Sequence, residues 1–164
     1  MEIKIARQIG KRLAIKSALI GLLIAYVTFG GLLYSWGMKL IKAALWITDV
    51  EFAFHLVVGA FGLLAMAYLF GQLAAIDILI KKRNELWTGI KYGIIILVTG
   101  TLIGSSVGFI EEGIDNLGKY GNPIYDYYFK PMYWIMIFGI VPVIIVGLWF
   151  GRQIKKQGQK RETT

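Results

Sequence analysis

The chain has 164 residues, of which 57% are apolar and only 17% charged, with no cysteine and a formal net charge of +8. The absence of cysteine excludes disulfides, thiolate metal sites and thiol catalysis. Four apolar stretches of about 20 residues, each long enough to cross about 30 Å of hydrocarbon, exclude a soluble globular domain and predict an all-α integral membrane protein.

Residues 1–12 are basic. Lys4, Arg7 and Lys11 fall on one helical side and Ile5, Ile9 and Leu13 on the other, which predicts an amphipathic lead-in lying in the interface. It merges into a first span from Leu13 to Trp36. A basic start before an apolar run resembles a signal peptide, but the run is too long and no small-residue cleavage pattern follows, so we expect a retained anchor.

Residues 37–50 predict an interfacial amphipathic helix between the first and second spans. Met38, Ile41, Leu45 and Thr48 share one face, Lys39, Lys42, Trp46 and Asp49 another, and Trp46 suits the headgroup level. The alternative is an irregular connector. Thr48-Asp-Val-Glu51 matches a capping box that would open the next helix. The second span runs from Phe52 to Ile80 and closes on Lys81, Lys82 and Arg83.

Asn84 is a suitable N-cap for the third helix, with Glu85 at its positive dipole end. Trp87 and Lys91 can anchor that interface. The third span covers Leu86 to Ile110. Residues 111–130 form an acidic, aromatic external loop with Glu111, Glu112, Asp115, Asp126 and the turn Gly121-Asn122-Pro123. Pro131 suits the first turn of the fourth helix, which runs to Phe150. Pro142 removes a backbone hydrogen bond in its middle and crowds the Phe138 carbonyl, predicting a kink. The tail 151–164 is basic, with fraying expected from Arg161.

Lys and Arg concentrate at the N-terminus, around 81–91 and in the tail. The positive-inside rule therefore predicts a multi-pass protein of the cell membrane with both termini cytoplasmic. The basic residues flank the spans, so anionic headgroups are the expected partner and nucleic acid is not.

Every span carries a stripe of small residues. Gly100, Gly104 and Gly108 line one face of the third helix, Gly71 and Ala75 continue from Ala67 on the second, Ser17, Gly21 and Ala25 mark the first, and Gly147 and Gly151 the fourth. Such stripes predict close helix contacts, within one bundle or between subunits. At the outer end, Glu51, His55, Glu111, Glu112 and Asp115 are candidate metal ligands or proton carriers. Capping and ordinary interfacial carboxylates are the simpler account of them. Asp77 is an intramembrane charge, which marks function by default, although Lys81 four residues on can pair with it. Ser105, Ser106, Thr99 and Thr101 either line a polar path or bond back to their own helix.

We find no nucleophile elbow, HExxH or phosphate loop, and we expect no cofactor. Three functions are compatible with these features. The first is a non-enzymatic scaffold, sensor or accessory subunit that oligomerises or docks a partner through small-residue helix faces. The second is a small oligomeric transporter or channel taking ions in at the outer acidic end. The third is a metal-dependent intramembrane enzyme.

Overall fold

The computed structural model describes residues 2–48, 53–115, 117 and 121–162, and no strand occurs among them. Four helices are long and apolar enough to cross a membrane: Ile3–Ser35, Ala53–Ile80, Glu85–Gly113 and Tyr125–Arg161. This is the make-up of a multi-pass membrane protein. We number the α-helices α1 (Ile3–Ser35), α2 (Leu40–Ala44), α3 (Ala53–Ala75), α4 (Glu85–Gly108) and α5 (Lys130–Glu162). Wider π-turns extend three of them: Ile76–Ile80 after α3, Phe109–Gly113 after α4 and Tyr125–Phe129 before α5.

The long helices form a ring in which α1 packs on α3 and α5, and α4 packs on the same two neighbours. The contacts are close because glycines meet backbone. A β-carbon at Gly10 would collide with the Gly71 carbonyl oxygen, one at Gly71 with the Ala14 side chain, and one at Gly89 with the Gly147 carbonyl oxygen. At the other end of the bundle, a β-carbon at Gly100 would lie 2.9 Å from Leu63 Cα, and one at Gly104 3.0 Å from Gly59 Cα. These contacts also set the register. Lys11, Gln72 and Lys91 share one level, and Gly30, Ala53, Ile110 and Tyr128 share another. The two levels are about 20 residues, or about 30 Å, apart.

The basic lead-in merges into the first span, as expected, in one continuous helix, Ile3–Ser35. It is the first turns of α1, in line with the rest of the helix. The reason lies in its small and apolar residues. Ala6, Ile9, Gly10, Leu13, Ala14 and Ser17 make one buried stripe at helical spacing that crosses from the basic segment into the apolar one. The tail likewise continues α5, with Gly151, Ile154 and Gly158 buried at the same spacing. Phe150 and Ile154 of α5, Ile9 of α1, and Ile78 and Leu79 after α3 join one core. This core sits at the end of the bundle that carries the termini.

Beyond Ser17 no residue of α1 is buried. The following segment covers only one side of its last turns, at Tyr26, Phe29 and Gly30. Gly37, at φ 93°, takes the left-handed conformation that lets the chain reverse after α1. The segment folds back as the short α2 and a 3₁₀ turn, Trp46–Thr48, where a continuous helix over 37–50 was expected. The Tyr26 hydroxyl donates to the Ala44 carbonyl, and Trp46 Nε1 donates to the Tyr26 carbonyl at 3.3 Å. The Trp46 ring packs on Phe29 with centroids 4.6 Å apart. These side-chain bonds to backbone break the segment into short pieces. Of the expected capping box, Thr48 Oγ1 donates to the Leu45 carbonyl at 2.7 Å, and Glu51 lies outside the described residues.

Candidate functional site

Polar chemistry concentrates at the two ends of the ring. At the end away from the termini, the π-turn Phe109–Gly113 carries Glu111 and Glu112 toward different partners. His55, on the first turn of α3, brings Nε2 within 2.8 Å of Glu111 Oε2. The histidine side chain is 20% exposed and the glutamate 50%, so the pair is reachable from the surface. Glu112 instead accepts a 2.8 Å hydrogen bond from the Tyr127 hydroxyl. One turn earlier, the Tyr128 hydroxyl donates to Ser106 Oγ at 3.2 Å, and Ser106 donates to the Leu102 carbonyl. Phe109 packs against both tyrosine rings.

Gly108 makes this crowding feasible. A β-carbon there would sit 3.1 Å from the Tyr127 ring and 3.7 Å from His55 Nε2. The last glycine of the Gly100–Gly104–Gly108 run thus belongs to the His55–Glu111 site, while the first two face Leu63 and Gly59 of α3. Gly71 and Ala75 face Gly10 of α1. The closest backbone approaches, Gly151 on Glu85, Gly10 on Gly71 and Gly89 on Gly147, lie at the opposite end from that run.

Of the five acidic and imidazole candidates, the fold joins His55 to Glu111, turns Glu112 to Tyr127 and leaves Asp115 exposed one turn on. Glu51 lies outside the described residues. Among the described residues, no three His, Asp or Glu side chains are close enough together to hold a metal ion. A histidine–carboxylate pair of this kind can exchange a proton or hold a cation weakly. A firm metal site needs further ligands.

At the other end, Asp77 is 4% exposed and fully engaged. Lys81 Nζ and Arg83 NH1 each lie 2.9 Å from its carboxylate, and the Tyr92 hydroxyl donates to it at 3.1 Å. The Arg83 amide also donates to the Asp77 carbonyl at 2.9 Å. Asp77 therefore ties the turn after α3 to the second turn of α4. The sequence makes the Lys81 partner visible through its four-residue spacing. Arg83, in the turn, and Tyr92, fifteen residues away, are brought in only by the chain reversal. Asn84 Oδ1 accepts from the Leu86 and Trp87 amides at 2.9 and 3.2 Å, capping α4. Glu85 also pairs with Lys155 of α5 at 2.9 Å, a contact that no local pattern signals.

Three further hydroxyls bond within their own helices. Ser17, Thr99 and Thr101 donate to the Leu13, Ile95 and Leu97 carbonyls. Pro142 lies inside α5. One further polar feature had no counterpart in the sequence reading: a groove on the outside of α1 and α3, lined by Ile3, Lys4, Arg7, Gln8, Lys11 and Gln72. Comparison with protein families, curated proteins and solved structures gives no match to this chain.

Proposed function

We propose that this chain is a non-enzymatic protein of the cell membrane, with both termini in the cytoplasm, that acts as a scaffold, sensor or accessory subunit. The observation that carries this reading is the outer half of α1. The other small-residue stripes are occupied inside the ring, whereas a β-carbon at Gly21 would meet nothing within 4 Å. Gly21, Ala25 and Thr28 lie on one face of α1 by their spacing, beside exposed Leu19, Leu23 and Val27. In a bilayer, such a face allows close approach of a helix from a second copy or a membrane partner. The occupied stripes support packing within the chain, so association through Gly100 or Gly104 would require the ring to open.

The orientation rests on charge. Fourteen of the eighteen Lys and Arg residues fall in residues 1–16, residues 81–91 or the tail. The level shared by Gly30, Ala53, Ile110 and Tyr128 then corresponds to the outer interface. The segment of α2 and Trp46, folded against Tyr26 and Phe29, lies in that interface.

The absence of cysteine makes the test direct. An Ala25→Cys variant in native membranes should form a disulfide-linked dimer on mild oxidation, and Gly21→Leu in the same background should reduce it. A monomer throughout, or crosslinking indifferent to Gly21→Leu, would sink self-association. A transporter or channel is the second reading, favoured by the exposed His55–Glu111 pair. Proton or cation flux in liposomes that is unchanged by His55→Ala and Glu111→Gln would argue against it.

A further inference from the structure

We infer that the groove between the first turns of α1 and Gln72 of α3 binds the headgroup of an anionic, hydroxyl-bearing phospholipid of the inner leaflet. The inference rests on the proposed membrane placement and orientation. Lys4, Arg7 and Lys11 follow one another at spacings of three and four along α1, so they share one face. They line the groove with Gln8 and Gln72. Four basic side chains elsewhere are ion-paired within the chain: Lys81 and Arg83 with Asp77, Lys130 with Asp126 and Lys155 with Glu85. Lys4, Arg7 and Lys11 make no ion pair among the described residues. No carboxylate lines the groove.

The groove has polarity of two kinds. Lys11 holds its ammonium 5.7 Å from the centre of the Tyr68 ring, over α3. Gln72 spends its amide N–H on the Tyr68 carbonyl at 3.0 Å, which leaves its side-chain oxygen as an acceptor. Cationic donors beside a neutral acceptor suit a phosphodiester whose headgroup carries a free hydroxyl. An inorganic phosphate would use only the first part.

The surroundings favour a lipid over a soluble anion or an acidic protein. Gln72 stands at the level shared by Lys11 and Lys91, where headgroups begin in the proposed placement. From there toward the bilayer centre, the exposed α3 face continues as Leu69, Ala65 and Phe61, with Leu69 51% and Phe61 69% exposed. This is an apolar track for an acyl chain running directly from the cationic groove.

The test uses the full chain purified in a nonionic detergent. Short-chain phosphatidylglycerol, phosphatidylcholine and inorganic phosphate are each titrated while thermal unfolding is followed. We expect phosphatidylglycerol to raise the midpoint by several degrees and the other two to leave it unchanged. The triple variant Lys4→Gln, Arg7→Gln, Lys11→Gln should weaken the apparent phosphatidylglycerol affinity at least tenfold. A charge-matched control, Lys156→Gln, Lys160→Gln, Arg161→Gln, should keep the wild-type response. Circular dichroism checks that both variants stay helical, and Arg7→Gln alone supplies a milder variant if the triple one is impaired. Equal weakening by both triple variants would reduce the site to a diffuse field and overturn the proposal. So would an undiminished response in the groove variant, or a phosphate response matching that of phosphatidylglycerol. Alkaline carbonate extraction separates the two levels of inference: protein released from membranes defeats the membrane placement itself, whereas protein that stays embedded without a phosphatidylglycerol response defeats only the lipid site.

Discussion

Replacing Gly89 with alanine should destabilise the bundle, and replacing Gly21 with alanine should not. Both glycines lie inside long helices, so alanine brings each the same intrinsic gain of about 1 kcal/mol in helix propensity. Their surroundings differ. The new methyl group at Gly21 points into open space. At Gly89 it runs into the Gly147 carbonyl oxygen and lies 3.0 Å from the Gly151 nitrogen. Both obstacles are backbone, so no side chain can swing away, and α4 must move off α5. Gly151 makes separation worse, because it is itself seated against the Glu85 carbonyl. Overpacking of this kind costs about 1–3 kcal/mol. Set against the propensity gain, Gly89→Ala should lose up to about 2 kcal/mol while Gly21→Ala gains up to about 1 kcal/mol. For a chain of this length a loss of about 2 kcal/mol corresponds to a fall in Tm of about 4–8 °C. Thermal unfolding of both variants in one detergent, followed by tryptophan fluorescence, measures the difference. A Gly89→Ala protein melting at or above Gly21→Ala would refute the close α4–α5 crossing.

Two more substitutions probe the basic end. Asp77→Ala should cost about 2 kcal/mol in detergent unfolding: it leaves the buried Tyr92 hydroxyl without its acceptor, a penalty of about 1–3 kcal/mol, while the ion pairs to the half-exposed Lys81 and Arg83 add little. Tyr92→Phe should cost less than Asp77→Ala, and the reverse order would contradict the clamp. Lys82 sits at φ 54°, in the left-handed region. Lys82→Gly should therefore leave stability unchanged or raise it, and Lys82→Val should lower it by about 1–2 kcal/mol; equal melting of the two variants would count against that turn.

The His55–Glu111 site was only partly legible. His55, Glu111 and Glu112 stand out as titratable residues at span ends, and their placement on one surface follows from alternating helix direction. Their partners do not follow. Tyr127 reaches Glu112, and Glu111 meets His55 across 56 positions, because α3, α4 and the turn before α5 converge at Gly108. The groove at the basic end was equally hidden. Lys4, Arg7 and Lys11 were visible as one face of a helix, but Gln72 joins them only because Gly10 lets α1 approach Gly71 so closely.

The sequence by itself determined the four apolar helices, the cap at Asn84 and the concentration of basic residues near three segments. Each of these is a local property, set by hydrocarbon thickness, by backbone groups within one turn, or by composition along the chain. Only the tertiary structure decided which glycine faces which helix, because a small-residue stripe permits close approach without naming a partner. It also decided how residues 3–12 and 151–162 pack, since their buried stripes acquire meaning only when Ala6, Ile9 and Ile154 meet Ile78 and Leu79. And it showed the outer half of α1 to be the small-residue face left open, a consequence of where the other three stripes had already found their contacts.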